Sequence, residues 1–254
     1  MIRPPPIPVH YDQAEYDLRC EWGLAGVQAL AQISDVLIVV DVLVFSTAVD
    51  IAVARGASVL PYRWRDSSAE AFAKSKGALL ASPRAGGYSL SPPSLLSIPA
   101  GTALVLPSPN GSTLCTHPGT AATFTACLRN CRAVAAHARA RGSRIAVVPA
   151  GEQWGDGALR PAIEDLIGAG AVLASLPGRP SPEAETAIAA FERFRHNLHD
   201  ALARRYVGQR AGGAGICVRC RGSRRIRGEH DGASDAGRSL RKQRRCARRA
   251  AHCP

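Results

Sequence analysis

From Val36 to Gly56 the chain reads VLIVVDVLVFSTAVDIAVARG, a stretch that few folds can accommodate. Val36 to Val40 is an unbroken apolar run rich in β-branched residues. That is the pattern of a strand covered on both faces, as in a parallel sheet. The run ends on a carboxylate, Asp41, and the pair Ser46-Thr47 stands at the start of a helical pattern over Ala48 to Arg55, stopped by Gly56. A strand ending in a carboxylate, then hydroxyls at a helix start, is how an α/β protein builds an anion or metal site. The same residues also suit a plain strand end and a helix cap.

The rest of the chain repeats the strand and helix alternation. Leu24 to Gln32 predicts a helix before the first strand. Ala57 to Tyr62 predicts a strand, Ser67 to Lys76 a helix capped by Ser67 or Ser68, and Ala78 to Ala81 a short strand. Ser82 to Gly101 is a Pro/Gly/Ser-rich loop, long enough to suggest a functional role. Thr102 to Leu106 predicts a strand that runs into Pro107-Ser108-Pro109-Asn110-Gly111-Ser112-Thr113, and Thr120 to Leu128 a helix. Ala133 to Arg141 predicts a helix, and Arg144 to Val148 a strand ending at Pro149-Ala150-Gly151-Glu152. Pro161 opens a helix from the first position, and Ser181 starts one long helix to about Arg205. The expected fold class is α/β, a single domain with a mostly parallel sheet and helices on both faces.

Charge separates this body from the C-terminal segment. Val207 to Pro254 holds thirteen Lys or Arg and three acids, net +10, which leaves +2 for residues 1–206 of the total +12. Periodicity vanishes there, and Arg, Gly, Ala and Cys dominate. Residues 1–206 are therefore read as the α/β domain and 207–254 as an atypical basic tail. Three origins fit the tail, the first foremost: a GC-rich gene read out of frame, a disordered basic arm for nucleic acid, or a zinc site on Cys217 and Cys220. A lone CxxC lacks its second pair, so zinc ranks last, and nucleic acid is expected only through the tail. Val207, Ile216, Val218, Ile226 and Leu240 are too sparse to offset the ordering of the segment, at about 1–2 kcal/mol per residue, so the tail is not expected to pack on the core. No apolar run reaches the ~18 residues of a membrane helix, and no apolar segment follows Arg3, so a cytoplasmic protein without membrane association is expected.

Three predicted strands end in polar punctuation: Asp41, Ser108 to Ser112, and Gly151-Glu152. Ligands of open α/β sheets sit beyond such ends, so these loops should converge on one crevice. The Asn110-Gly111-Ser112 turn offers main-chain N–H groups and a hydroxyl, though an Asn-Gly turn is also common structure. Glu152 is a candidate metal ligand or base. Glu164-Asp165 sits in a predicted first helical turn, where acids are also favoured by the helix dipole. Together these carboxylates and the turn point to a divalent-metal phosphate site. The histidines show no HExxH spacing, and neither a GxSxG elbow nor a Walker P-loop is present.

In order, IVVDVLVFSTAV, LSPPSL, LPSPNGSTL and VVPAGE followed by IEDLIGAGAV resemble the 2-phosphosulfolactate phosphatase (ComB-like) family, across roughly Val36 to Leu176. The resemblance implies an α/β, Mg²⁺-dependent phosphatase that hydrolyses 2-phosphosulfolactate, a small phosphorylated acid, in coenzyme M biosynthesis. It implies catalytic roles for Asp41 and Arg84, to which the residue pattern adds Glu152 as the general-base candidate. It implies substrate contacts at Ser46, Thr47, Ser91, Asn110, Gly111, Ser112 and Gly151, and metal ligands in Asp41, Glu164 and Asp165. Leu90 stands where Asn is usual before Ser91-Pro92. Val44 stands where the family commonly carries Arg, which leaves Arg84 or Arg160 to supply a guanidinium. Homo-oligomerisation is left open.

Overall fold

Four parallel strands lie side by side in the order β1 (Leu18–Cys20), β7 (Ile145–Pro149), β2 (Val36–Val40) and β6 (Ala122–Ala126). The computed structural model describes residues 11, 13–82, 87–117, 119 and 121–206. A second parallel sheet sets β5 (Ala103–Pro107) between β3 (Ser58–Tyr62) and β4 (Leu79–Leu80). A small antiparallel hairpin, β8 (Glu152–Gln153) and β9 (Leu159–Arg160), follows β7. The single sheet expected from sequence is thus two parallel sheets, joined by α2 (Phe45–Ala54). Among the described residues no helix is long and apolar enough to cross a membrane.

β2 is central to the larger sheet because nothing on it needs water. Val36, Ile38 and Val40 face one side, where they pack with Ala169, Val172 and Leu173 of α6 (Ile163–Leu173), Ala184 and Ala187 of α7 (Pro182–Phe194), and Ala135 and Ala138 of α5 (Cys131–Arg139). Leu37 and Val39 face the other, against Val27, Leu30 and Ala31 beside α1 (Gly23–Leu30) and Leu114 of α4 (Gly111–Cys115). Full burial of each such side chain contributes about 1.5–3 kcal/mol, so the run from Val36 to Val40 anchors both layers. Phe45, Ala48, Ile51 and Ala52 of α2 turn instead to the second sheet and pack with Leu104, Leu106, Leu95 and Ile98.

Several local expectations give way to tertiary context. Thr120 to Leu128 is not helical: Ala122–Ala126 is strand β6, whose alternating Thr-Phe-Thr completes the edge beside β2. Asp66, not Ser67 or Ser68, caps α3 (Ser67–Ser75), its side chain accepting from Ser68 N at 2.9 Å. Pro161 precedes α6 by two residues rather than opening it. The long C-terminal helix is two, α7 and α8 (Leu198–Tyr206). Strand β1 was not expected, because its central Arg19 reads as polar. Arg19 is nonetheless buried, and its guanidinium donates to the carbonyls of Ala14, Tyr16 and Ile33. The Pro-rich lead-in to Val9, Arg84 and the whole basic tail from Val207 lie outside the described residues.

The end of the larger sheet opposite the candidate crevice is held by Asp35. Its carboxylate accepts from Ser143 N at 3.1 Å, Arg144 N at 3.0 Å and the Arg144 guanidinium at 2.7 Å. The Arg144 side chain first, then these main-chain donors, hold the Asp35 carboxyl down at about 2. A depressed value means the stabilisation is present above the ordinary carboxylate value and lost as pH falls towards 2. Denaturant titrations of the wild type should therefore show stability draining between about pH 4 and 2. Asp35→Ala should lower stability at neutral pH and flatten that acid slope. Identical slopes would remove Asp35 as a source of acid sensitivity.

Candidate active site

Register brings the strand ends level. Val40 pairs with Pro149 on one side and Ala126 on the other, so Asp41 and Ala150 leave the sheet together. After Asp41 the chain turns sharply through a cis Leu43–Val44 peptide into α2. Asp41 N donates to Ser46 Oγ at 2.9 Å, and Ser46 N returns to the Asp41 carbonyl at 2.8 Å. Ser46 Oγ also meets Thr125 Oγ1 of β6 at 2.6 Å, and Thr47 Oγ1 donates to the Val42 carbonyl at 2.8 Å. Both hydroxyls thus shape the turn, and Ser46 is fully buried. Neither caps α2.

The Asp41 carboxylate reaches across to the second sheet. Oδ1 accepts from Phe45 N at 3.2 Å, and Oδ2 accepts from Gly111 N at 3.0 Å, 70 residues away. Gly111 is required here: a Cβ would lie 2.7 Å from Asp41 Oδ2 and inside the Phe45 ring. Ser112 Oγ, buried, donates to the Leu106 carbonyl at 2.8 Å and fixes the turn from below. Asn110 is half-buried, and its side chain makes no cap bond to α4.

Asp165, in the first turn of α6, closes the third side. Its Oδ1 accepts from Val42 N at 2.8 Å and its Oδ2 from Gly151 N at 2.9 Å. Gly151 sits at φ +68°, a conformation that favours glycine, and a Cβ there would press on Leu159 and the Arg160 carbonyl. Asp41 and Asp165 together therefore staple the loops after β2, β5 and β7 into one crevice, as the three punctuated strand ends implied. Glu164 is buried beside them, only 1% exposed. Burial pushes Asp41 up to about 6, against the amides of Phe45 and Gly111 and the charge of Arg65. Burial first, then the charges of Asp41 and Glu164, hold Asp165 well above the ordinary carboxylate range.

Asp41 and Asp165, both with raised proton affinities, and the buried Glu164 beside them gather acidic side chains at one place. Among the described residues no three His, Cys, Asp or Glu side chains converge as a complete ligand set. Magnesium does not require one: it is typically held by one or two carboxylates, with water and substrate phosphate completing the octahedron. Asp41, Glu164 and Asp165 are the buried carboxylates available for such a site.

The remaining candidates stand further out. Glu152 accepts from Arg160 at 2.7 Å, and the Arg160 guanidinium lies 5.2 Å over the Trp154 ring. Arg160 is thereby held on Glu152 through one terminal nitrogen. Ser91 belongs to a serine turn, its N donating to Ser89 Oγ and its carbonyl accepting from Ser94 Oγ, ahead of a 3-10 helix, Pro92–Leu95, that packs on α2. No bond links Ser91 to the crevice among the described residues. Sequence reasoning missed Arg65. It follows β3 by three residues, and its Nε donates to the Pro107 carbonyl at 3.4 Å, at the root of the Asn110 turn. The Arg-Trp-Arg run directly after a strand was the available cue.

A sequence model of 2-phosphosulpholactate phosphatase matches residues 25–216, which span every loop of this crevice. The chain is also 31% identical over 187 residues to a 2-phosphosulfolactate phosphatase of Methanothermobacter thermautotrophicus, covering 72% of this chain and 79% of that protein. With the motif loops gathered around Asp41 and Asp165 and a match across three quarters of its length, the chain belongs to the 2-phosphosulpholactate phosphatase family.

Proposed function

We propose that the protein is a phosphoric monoester hydrolase acting on a small phosphorylated acid of the 2-phosphosulfolactate kind, and that it depends on Mg²⁺. The observation that carries this reading is the double staple. Asp41 and Asp165 hold the Asn110-Gly111-Ser112 turn, the Val42 turn and Gly151 around one crevice at the strand ends. Asp41, with Glu164 and Asp165 directly or through water, would hold the magnesium. The ion would neutralise phosphate charge and lower the pKa of a bound water.

The chain's own residues account for the other requirements. Asn110, whose side chain makes no cap bond to α4, is assigned to the phosphate, and Gly111 lets the main chain approach closely. Glu152, steadied by Arg160, accepts the proton of the attacking water. The water oxygen forms the new P–O bond, the ester P–O bond breaks, and the leaving alkoxide takes up a proton from the protonated Glu152 or from solvent. Phosphate release from a panel of phospho-acids tests this, with Mg²⁺ and with a chelator. Release that disappears with the chelator is expected. No release from the intact folded chain removes the hydrolase reading, and if an anion still binds, an inactive anion-binding member of the family replaces it. Salt-sensitive nucleic-acid binding lost on removing the tail would support the separate basic-arm reading.

A further inference from the structure

A substrate such as 2-phosphosulfolactate carries two acidic groups besides its phosphate, a carboxylate and a sulfonate, and a site for either needs its own cation. Val44, at the turn after Asp41, cannot supply one, and Arg160 is held by Glu152 and Trp154. Arg65 is differently placed. Tyr62 pairs with Pro107 across β3 and β5, and Ser108 N donates to the Tyr62 carbonyl at 3.0 Å. The loop after β3 is therefore tied to the loop that carries Asn110.

That loop is short and fixed at both ends. Tyr62 closes the strand, and Asp66 caps α3 through Ser68 N. Arg63 stacks on Trp64, 4.3 Å from its ring centroid, and Trp64 is half-exposed on the rim. Arg65 uses Nε on Pro107, while its two terminal nitrogens make no hydrogen bond or ion pair among the described residues. Its charge reaches Asp41, which it helps keep ionised. A guanidinium anchored at Nε and open at its fork is the arrangement that receives a carboxylate or sulfonate through two parallel bonds.

We propose that Arg65 binds an acidic group of the substrate other than the phosphate, its carboxylate or its sulfonate, and so makes the site selective for phosphorylated acids over simple phosphate monoesters. This rests on the phosphatase reading above. Arg65 is a binding residue supplied by the second sheet, with the phosphate turn and the carboxylates supplied by the crevice itself.

The test compares 2-phosphosulfolactate with glycerol 2-phosphate, which carries a secondary phosphate ester and no other acid. The wild type should prefer the former in kcat/KM. Arg65→Met should lower that preference about tenfold or more, chiefly through KM. Arg65→Lys, which keeps the charge without the fork, should recover part of it, and Arg63→Met should retain it. Arg65 is exposed, so circular dichroism of these variants should match the wild type. Equal losses on both substrates would show that Arg65 grips the phosphate and would overturn the assignment.

Calorimetric binding of sulfolactate, which needs no turnover, separates this proposal from the parent reading. If the wild type binds sulfolactate and Arg65→Met does not, Arg65 stands even where no phosphate is released. If the wild type turns over and Arg65→Met matches it in preference and in binding, Arg65 is overturned and the phosphatase reading survives. A wild type that neither turns over nor binds sulfolactate overturns both.

Discussion

Asp41→Asn is expected to lower kcat by about 10²–10³-fold or more while leaving a folded protein, since it removes a carboxylate proposed to hold the metal ion and weakens the Gly111 amide contact that places the phosphate turn. The fold survives because two effects oppose each other at neutral pH. Asp41 accepts main-chain amides at both oxygens, from Phe45 and Gly111. An asparagine accepts only one and turns its NH₂ on the other, leaving a buried N–H unsatisfied at about 1–3 kcal/mol. Against that, burial holds the wild-type carboxyl at about 6, so keeping it ionised at pH 7 costs about 3 kcal/mol, which asparagine avoids. The balance shifts with pH. A raised value means the Asp41 contribution is fully present below the ordinary 3.8 and lost as pH rises through about 6. The variant's deficit should thus be largest near pH 4 and shrink or reverse above about pH 6. Denaturant titrations at both ends, alongside phosphate-release assays, check this. Wild-type turnover would reject the role of Asp41 in the site, and a deficit independent of pH would reject its ionisation as described.

Gly170→Val should destabilise the protein by about 3 kcal/mol or more, lowering Tm by about 6–12 °C. A Cβ at 170 would run into the Ala187 carbonyl and stand 2.9 Å from Phe191 Cβ. Main chain cannot rotate away as a side chain can. Relief would require α7 to lift from α6, drawing Ala184 and Ala187 out of the layer that covers β2. Any gain in helix propensity over glycine is at most about 1 kcal/mol and does not compensate. Gly168→Ala should cost less, because its Cβ meets only the side chains of Val42 and Val40, at 2.6 and 2.8 Å. Gly155→Ala, with nothing within 4 Å, should be neutral. A Gly170→Val protein melting within about 2 °C of wild type would contradict the close contact of α6 and α7.

What sequence revealed and what it concealed divide along a physical line. β2 and Asp41 were legible because a strand covered on both faces leaves a continuous apolar run, and its carboxylate interrupts that run. The glycines of the turns were legible for the same local reason. Asp165 was readable as an acid at a helix start, but its use as a staple was not. It binds main-chain amides of Val42 and Gly151, and an amide has no signature in sequence. β6 was misread because its five residues are short enough to fit a helical spacing, and only the partner β2 decides. Arg65 belongs to the second sheet. Its place at the crevice follows from the pairing of Tyr62 with Pro107, a register that no local pattern records.

The staple from Asp165 to Val42 joins residues 123 positions apart. On the ribosome, a nascent chain that stops short of α6 already holds β2, β5 and the phosphate turn. It has no acceptor for Val42 N or Gly151 N, so those loops cannot settle into place. The crevice is completed when α6 docks, so a chain that ends before α6 lacks the Asp165 staple. Turnover, where it is seen, doubles as a report that the chain has folded through Asp165.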